Sequence, residues 1–273
     1  MNRTRPRVMG IVNTTPDSFS DGGRFIDRAA ALDHALKLVA EGADIIDVGG
    51  QSSRPGASPV GEDEEAARVI PVIAAIRARS AVALSVDTTR PAIARAAVDA
   101  GASMWNDITA LGAEPESLAV AAQLNCAVVL MHMRGEPATM QHRPRYGDVV
   151  GEVIAFLAAR AGAAKAAGVA ADNIWLDPGI GFGKTVAHNL ALLAALRRIV
   201  ALGYPVLLGA SRKGFIGALD PAAKAIEDRL AGSLAAALAG ARAGVAAVRV
   251  HDVRETVQAL EVQAAIAGAG EHG

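Results

Sequence analysis

Asp87, Asn106 and Asp177 could read the donor-rich edge of a flat heterocycle, because a carboxylate accepts two hydrogen bonds side by side from a ring N–H and an adjacent amino group. Arg54, Lys213, Arg249 and His251 could hold an anion such as a phosphate. Each of these stands at or just beyond the end of a short apolar run. So do Asn13 after the first run, the 49–54 segment after the second, Asp107 beside Asn106, His132 after the fifth and Ser211 after the seventh. A single Asp or Asn after a strand reads equally well as a helix N-cap. Polar groups at all eight run ends, basic at two and acidic at others, exceed what capping needs and point to a binding site.

Spacing argues against several other chemistries. The segment DPGIGFGKT (residues 177–185) ends like a phosphate-cradling GxxxxGK[ST] loop, but the position that must be the first glycine is Pro178, which has no N–H to donate. The six histidines form no HExxH and no close pair at ligand spacing, which disfavours a zinc enzyme. No GxSxG elbow supports a nucleophilic triad.

The elements that must position these groups are eight apolar runs, each flanked by a longer Ala-rich segment of helical periodicity. The runs are VMGIV from Val8, DIIDV from Asp44, VALSV from Val82, SMWN from Ser103, AVVLM from Ala127, NIWL from Asn173, PVLLG from Pro205 and AAVRV from Ala246. Gly42, Gly101, Gly168, Gly203 and Gly244 precede several of them, as helix ends feeding the next strand. This alternation predicts an α/β fold, a (β/α)8 TIM barrel forming one domain over residues 1–273. It has long loops after strands 1 and 2, and residues 268–273 form a frayed tail. In a barrel all eight run ends face one mouth. Small residues at Gly232, Ala236, Gly240 and Gly244 let one helix backbone approach another, either the barrel wall or a second subunit.

The chain of 273 residues is 52% hydrophobic and only 3% aromatic, so its core rests on Ala, Val, Leu and Ile. Its 27 Lys and Arg balance 28 Asp and Glu, which argues against nucleic acid or a membrane surface as partner. The single Cys126 reads as a buried thiol, and a disulfide within the chain is impossible. No run is long and pure enough to span a membrane, and the basic start MNRTRPR leads into no secretory signal, so a cytoplasmic location is expected.

Eight segments in order resemble the dihydropteroate synthase family. They are MGIVNTTPDSFSDGG (residues 9–23), DIIDVGGQSSRPGA (44–57), SVDT (85–88), NDI (106–108), LMHMRGEPATMQ (130–141), DPGIGFGKTVAHNL (177–190), SRKGFIG (211–217) and RVHDVRETV (249–257). The resemblance implies joining the methylene carbon of 6-hydroxymethyl-7,8-dihydropterin diphosphate to the amine of 4-aminobenzoate, with release of pyrophosphate by an SN1-like path. It implies that Asp87, Asn106, Asp177 and Lys213 bind the pterin between Ile108 and Met131, and that Ser53, Arg249, Val250 and His251 serve the diphosphate. Phe19, Pro55, Phe182 and Ser211 would frame the 4-aminobenzoate site. Asn13 would contact Mg2+ carried on the diphosphate. Asp21 and Arg54, on the first two loops, would act in catalysis with Lys213, Arg249 and His251 by closing over the site and excluding water. A homodimer and inhibition by sulfonamides are further implications.

Three positions depart from the family pattern. Gln51 and Ser53 stand where the second loop usually reads Glu and Thr, and Thr14 stands where an aliphatic residue is usual. Gln51 leaves open a non-catalytic pterin-binding paralogue. A methyltransferase moving a methyl group from a methylated folate to a corrinoid protein would share the Asp and Asn of the pterin site, but would not need both loops or the Arg249 and His251 pair.

Overall fold

The computed structural model describes residues 5–14, 24–51 and 60–269, with side chains of residues 24–27 excepted. Phe19, Asp21, Ser53, Arg54 and Pro55 therefore lie outside the described residues.

All eight apolar runs form parallel strands: β1 (Arg7–Asn13), β2 (Ile45–Gly49), β3 (Ala83–Asp87), β4 (Met104–Asp107), β5 (Ala127–Met131), β6 (Ile174–Asp177), β7 (Leu207–Leu208) and β8 (Ala247–Val250). They pair in the order β6-β5-β4-β3-β2-β1-β8-β7. A parallel bridge between Leu176 and Val206 brings β7 back to β6, completing a nearly closed (β/α)8 barrel. The seventh run makes only a two-residue strand because Pro205 has no N–H for the ladder. Its carbonyl instead accepts from Leu176 N at 2.9 Å.

Strand ends matter most for the site. Five strands run one residue beyond the apolar run, so Asn13, Gly49, Asp87, Asp107 and Asp177 are each the last residue of a strand. Gly42, Gly101, Gly168, Gly203 and Gly244 all have left-handed φ, between 84° and 111°, so each reverses the chain from helix to strand.

Around the strands lie α1 (Arg24–Ala40), α2 (Glu62–Arg77), α3 (Pro91–Asp99), α4 (Ser117–Leu124), α5 (Val149–Ala166), α6 (Val186–Ala194), α7 (Leu196–Val200), α8 (Gly214–Leu219), α9 (Leu230–Ala243) and α10 (Val253–Ala269). Helix starts use local chemistry: Asp148 accepts from the N–H groups of Val150 and Gly151, and Thr185 with His188 makes a capping box. Helix α10 includes Gly268 and Ala269, so the first two residues of the expected frayed tail are helical; residues 270–273 lie outside the described ones.

Two apolar regions hold the barrel. One lies between strands and helices and includes Val12, Ile46, Val48, Leu84, Trp105, Leu130 and Val248. The other fills the barrel's lower interior with Met9, Ile45, Met104, Val129, Trp175, Leu207 and Ala247. At the bottom Arg7 stacks over Trp175 at 4.6 Å. Cys126 is buried, and burial pushes its thiol up to about 11. Among the described residues no helix is long and apolar enough to cross a membrane. The small face of α9 packs within the chain: a Cβ at Gly240 would lie 2.6 Å from Leu208, and one at Gly232 would overlap Ile216.

Candidate active site

Strand register assembles the first part of the site. Asn13 pairs with Gly49, Gly49 with Asp87, and Asp87 with Asn106, so the ends of β1 to β4 form one row. Gly49 leaves room in that row, since a Cβ there would sit 3.5 Å from that of Asp87. Across the mouth, Met131 pairs with Asp177. Gly209 marks where the far groups converge: a Cβ on it would lie 3.8 Å from Asp177 Oδ2, 3.9 Å from Lys213 Nζ and 3.9 Å from Arg249 Cβ.

Arg249 organises the charges. Its Nε donates to Asp47 Oδ2 at 2.6 Å and its Nη2 to Asp87 Oδ2 at 2.8 Å, while Asn106 Nδ2 donates to Asp47 Oδ2 at 3.2 Å. Burial pushes the Asp87 carboxyl up to about 7 despite Arg249 beside it. For Arg249 burial acts downward, but Asp47 and Asp87 outweigh it and hold the guanidinium charged. Burial also raises Asp177, opposed by Lys213 and by the Gly179 N–H that donates to its Oδ1 at 2.6 Å. The Lys213 ammonium is pushed down to about 8 by burial, with Asp177 opposing. Near neutral pH the mouth thus holds groups whose protonation a ligand can change.

The loop after β6 is held differently. Lys184 is buried, and burial pushes its ammonium down to about 7; its three N–H groups are shared among four acceptors, the carbonyls of Gly179 (2.9 Å), Phe182 (2.9 Å) and His132 (3.2 Å) and His132 Nδ1 (2.9 Å). Burial and then Lys184 push the His132 imidazole down to about 3, so the ring is neutral and can accept. The loop lies tight against the end of β5. Gly179 has φ 65°, and a Cβ there would overlap the His132 carbonyl. This geometry answers the resemblance to a phosphate loop: Lys184 is occupied by backbone carbonyls.

The other predicted groups fall around this centre. Lys213 Nζ donates to the Ile180 carbonyl and lies 4.6 Å from the Phe182 ring centroid. Ser211 Oγ bonds His251 Nδ1 at 3.0 Å and accepts from the His251 N–H at 3.2 Å. Met131 is buried and Ile108 half-buried at the mouth. Val250, one residue from inward-facing Arg249, belongs to the core between sheet and helices, which leaves its backbone to serve the mouth. Asn13 is half-buried at the end of β1 and offers a neutral amide oxygen.

A profile of the pterin binding enzyme family matches residues 9–251. The dihydropteroate synthase of Synechocystis is 47% identical over 266 residues, covering 96% of this chain and 90% of that protein. The chain belongs to the dihydropteroate synthase family. A solved dihydropteroate synthase of Xanthomonas albilineans with 4-aminobenzoic acid superposes with a TM-score of 0.91 at 52% identity, covering 97% of this chain and 94% of that one. The same organism's enzyme in complex with 7,8-dihydropteroate gives a TM-score of 0.88 at 49% identity, with 97% and 95% covered.

Set against the dihydropteroate synthase pattern, Thr14 has a local role. Its backbone N–H and its hydroxyl both donate to the Gly49 carbonyl, at 2.9 and 3.1 Å, tying the exit of β1 to that of β2. Gln51 is half-buried, while Ser53 lies outside the described residues. Two groups of the site were missed by sequence reasoning. Asp47 stood inside an apolar run, where a lone carboxylate was itself a signal, and Lys184 was weighed only as a phosphate ligand.

Proposed function

We propose that the mouth formed by Asp87, Asn106, Asp177, Lys213 and Arg249 holds 6-hydroxymethyl-7,8-dihydropterin diphosphate while the chain joins its methylene carbon to the amine of 4-aminobenzoate. The products are 7,8-dihydropteroate and pyrophosphate, a step of folate biosynthesis. The observation that carries this reading is the convergence of Asp177, Lys213 and Arg249 on Gly209, beside the row ending in Asp87 and Asn106. Acceptors for a pterin's N–H edge and cations for its diphosphate thus share one mouth.

The chemistry asks the protein to position and neutralise. The C–O bond to the diphosphate breaks first, leaving a methylene cation that the pterin ring stabilises while the departing charge goes to Arg249 and His251; the aniline nitrogen then forms the C–N bond and gives up one proton to solvent or to the released pyrophosphate. The neutral aniline nitrogen is already nucleophilic, so no strong general base is assigned. Met131 and Ile108 would wall the ring, while Phe182, over Lys213, and Ser211 would border the 4-aminobenzoate site. Phe19, Ser53 and Pro55 would complete these contacts, and the loops carrying Asp21 and Arg54 would exclude water that could trap the cation.

The described residues contain no group of three metal-ligating side chains, which suits an ion carried mainly by phosphate oxygens and water. Asn13 would hold Mg2+ through its amide oxygen, and the bound ion would supply charge neutralisation of the leaving group. We also infer a cytoplasmic homodimer; Val262 and Ile266, apolar and exposed one turn apart on α10, support a second copy as partner. Light scattering should give twice the chain mass, and a monomer would end that reading.

The test of function supplies pterin diphosphate, 4-aminobenzoate and Mg2+ and measures dihydropteroate and pyrophosphate together. Equal yields are expected, with sulfonamides inhibiting. Tight pterin binding without pyrophosphate release would instead mark a non-catalytic binder.

A further inference from the structure

Asp47 is wholly buried on β2 and takes no part in the reaction as described above. Its Oδ2 nevertheless accepts from two pocket residues, Arg249 Nε and Asn106 Nδ2. Its Oδ1 is buried without a hydrogen-bond partner among the described residues, and so is Ser85 Oγ, its register partner on β3. An orphaned carboxylate oxygen in a barrel interior costs stability, and a neutral side chain of the same shape would relieve much of that cost. The pair with Arg249 at Oδ2 offsets part of that cost, but stability alone does not explain a charge that leaves a second oxygen orphaned.

Its partners do. Asn106 has an oxygen and a nitrogen in nearly equivalent positions, and only its hydrogen bonds decide which faces the mouth. A carboxylate can only accept, so Asp47 fixes the Asn106 amide with nitrogen inward and oxygen free for a donor. The same carboxylate commits Nε of Arg249 while Asp87 takes Nη2, so two of three guanidinium nitrogens are fixed. We propose that Asp47 is a positioning residue that sets the polarity of the pterin pocket, turning Asn106 into an acceptor and holding Arg249 in plane, and so determines preference for a 2-amino over a 2-oxo heterocycle. This rests on the pterin reading of the mouth. An Asn at 47 could donate as well as accept, and the Asn106 amide could then turn over.

The test compares wild type with Asp47→Asn for binding of pterin and of its 2-oxo analogue, and for KM of each substrate. The expected result is a fall of about tenfold in the preference for pterin, the size of one hydrogen bond exchanged for a mismatch. KM for the pterin diphosphate should rise while that for 4-aminobenzoate stays within about twofold. A purely structural role would lower the melting temperature and leave the preference unchanged, and that result overturns the proposal. If Asp47→Asn does not fold, Asp47→Ala is assayed with added formate, which should restore the preference by replacing the carboxylate; no folded chain from either variant, or no recovery with formate, also overturns it. Asp177→Asn is run alongside. Normal pterin binding by that variant would sink the pocket reading itself, whereas lost binding there with unchanged preference in Asp47→Asn would sink only the role of Asp47.

Discussion

The two sides of the mouth bury charge in opposite ways. On the β2, β3 and β8 side, Arg249 is balanced by the carboxylates of Asp47 and Asp87. On the β6 side, Lys184 is balanced by three backbone carbonyls and an imidazole nitrogen. Side-chain partners can be exchanged when a ligand brings charges of its own, while backbone carbonyls are fixed by the chain path. The first arrangement suits groups that must meet substrate. The second suits a loop that must present Asp177 in one place.

The comparison is broken most severely by removing its two cations. Arg249→Ala should reduce turnover by about 10³-fold through loss of transition-state charge stabilisation, measured as kcat/KM for the pterin diphosphate. It should also lower unfolding free energy by about 3 kcal/mol, because two buried carboxylates lose their partner. Lys184→Met should lower unfolding free energy by about 3 kcal/mol in urea titration, since the buried acceptors that share its three N–H groups lose their donor at once. A stable variant would show that the loop does not need its clamp.

Smaller effects sharpen the contrast. Combining Arg249→Ala with Asp87→Asn should recover about 1–2 kcal/mol of the stability lost, because the second change removes an orphaned charge. No such recovery is expected on pairing Lys184→Met with any single side-chain change, its partners being mostly backbone. The pH dependence follows from Asp87, raised to about 7 by burial. Below that pH the empty site holds a proton that must leave before the carboxylate can accept from the pterin. Affinity should therefore fall as pH drops from 7 towards 5, and calorimetry at pH 6 in buffers of different ionisation heat should register proton release on binding. Asp87→Asn should bind weakly with no such release.

The barrel was legible because the strands are short apolar runs with a polar residue at or after the end, five of them preceded by a left-handed glycine turn. Asp87, Asn106, Asp177, Lys213 and Arg249 were legible for the same reason: parallel strands put all their C-terminal ends at one mouth. Strand bounds were less so. Asp107 and Asp177 complete their ladders although carboxylates disfavour strands, since register with β5, and for Asp177 with Met131 in particular, outweighs propensity.

The sequence by itself determined the eight units, the mouth they share and the family, because periodicity and motif order are local properties of the chain. Only the tertiary structure decided which buried charges meet. Asp47 and Arg249 stand 202 residues apart. Side-chain alternation makes each face inward, but closure of β8 onto β1 beside β2 is what brings them together. Lys184 likewise acquires its role only when β5 and β6 lie side by side, because the carbonyls it binds come from just beyond the C-terminal end of each. A local pattern fixes the direction of a side chain, and chain closure fixes its partner.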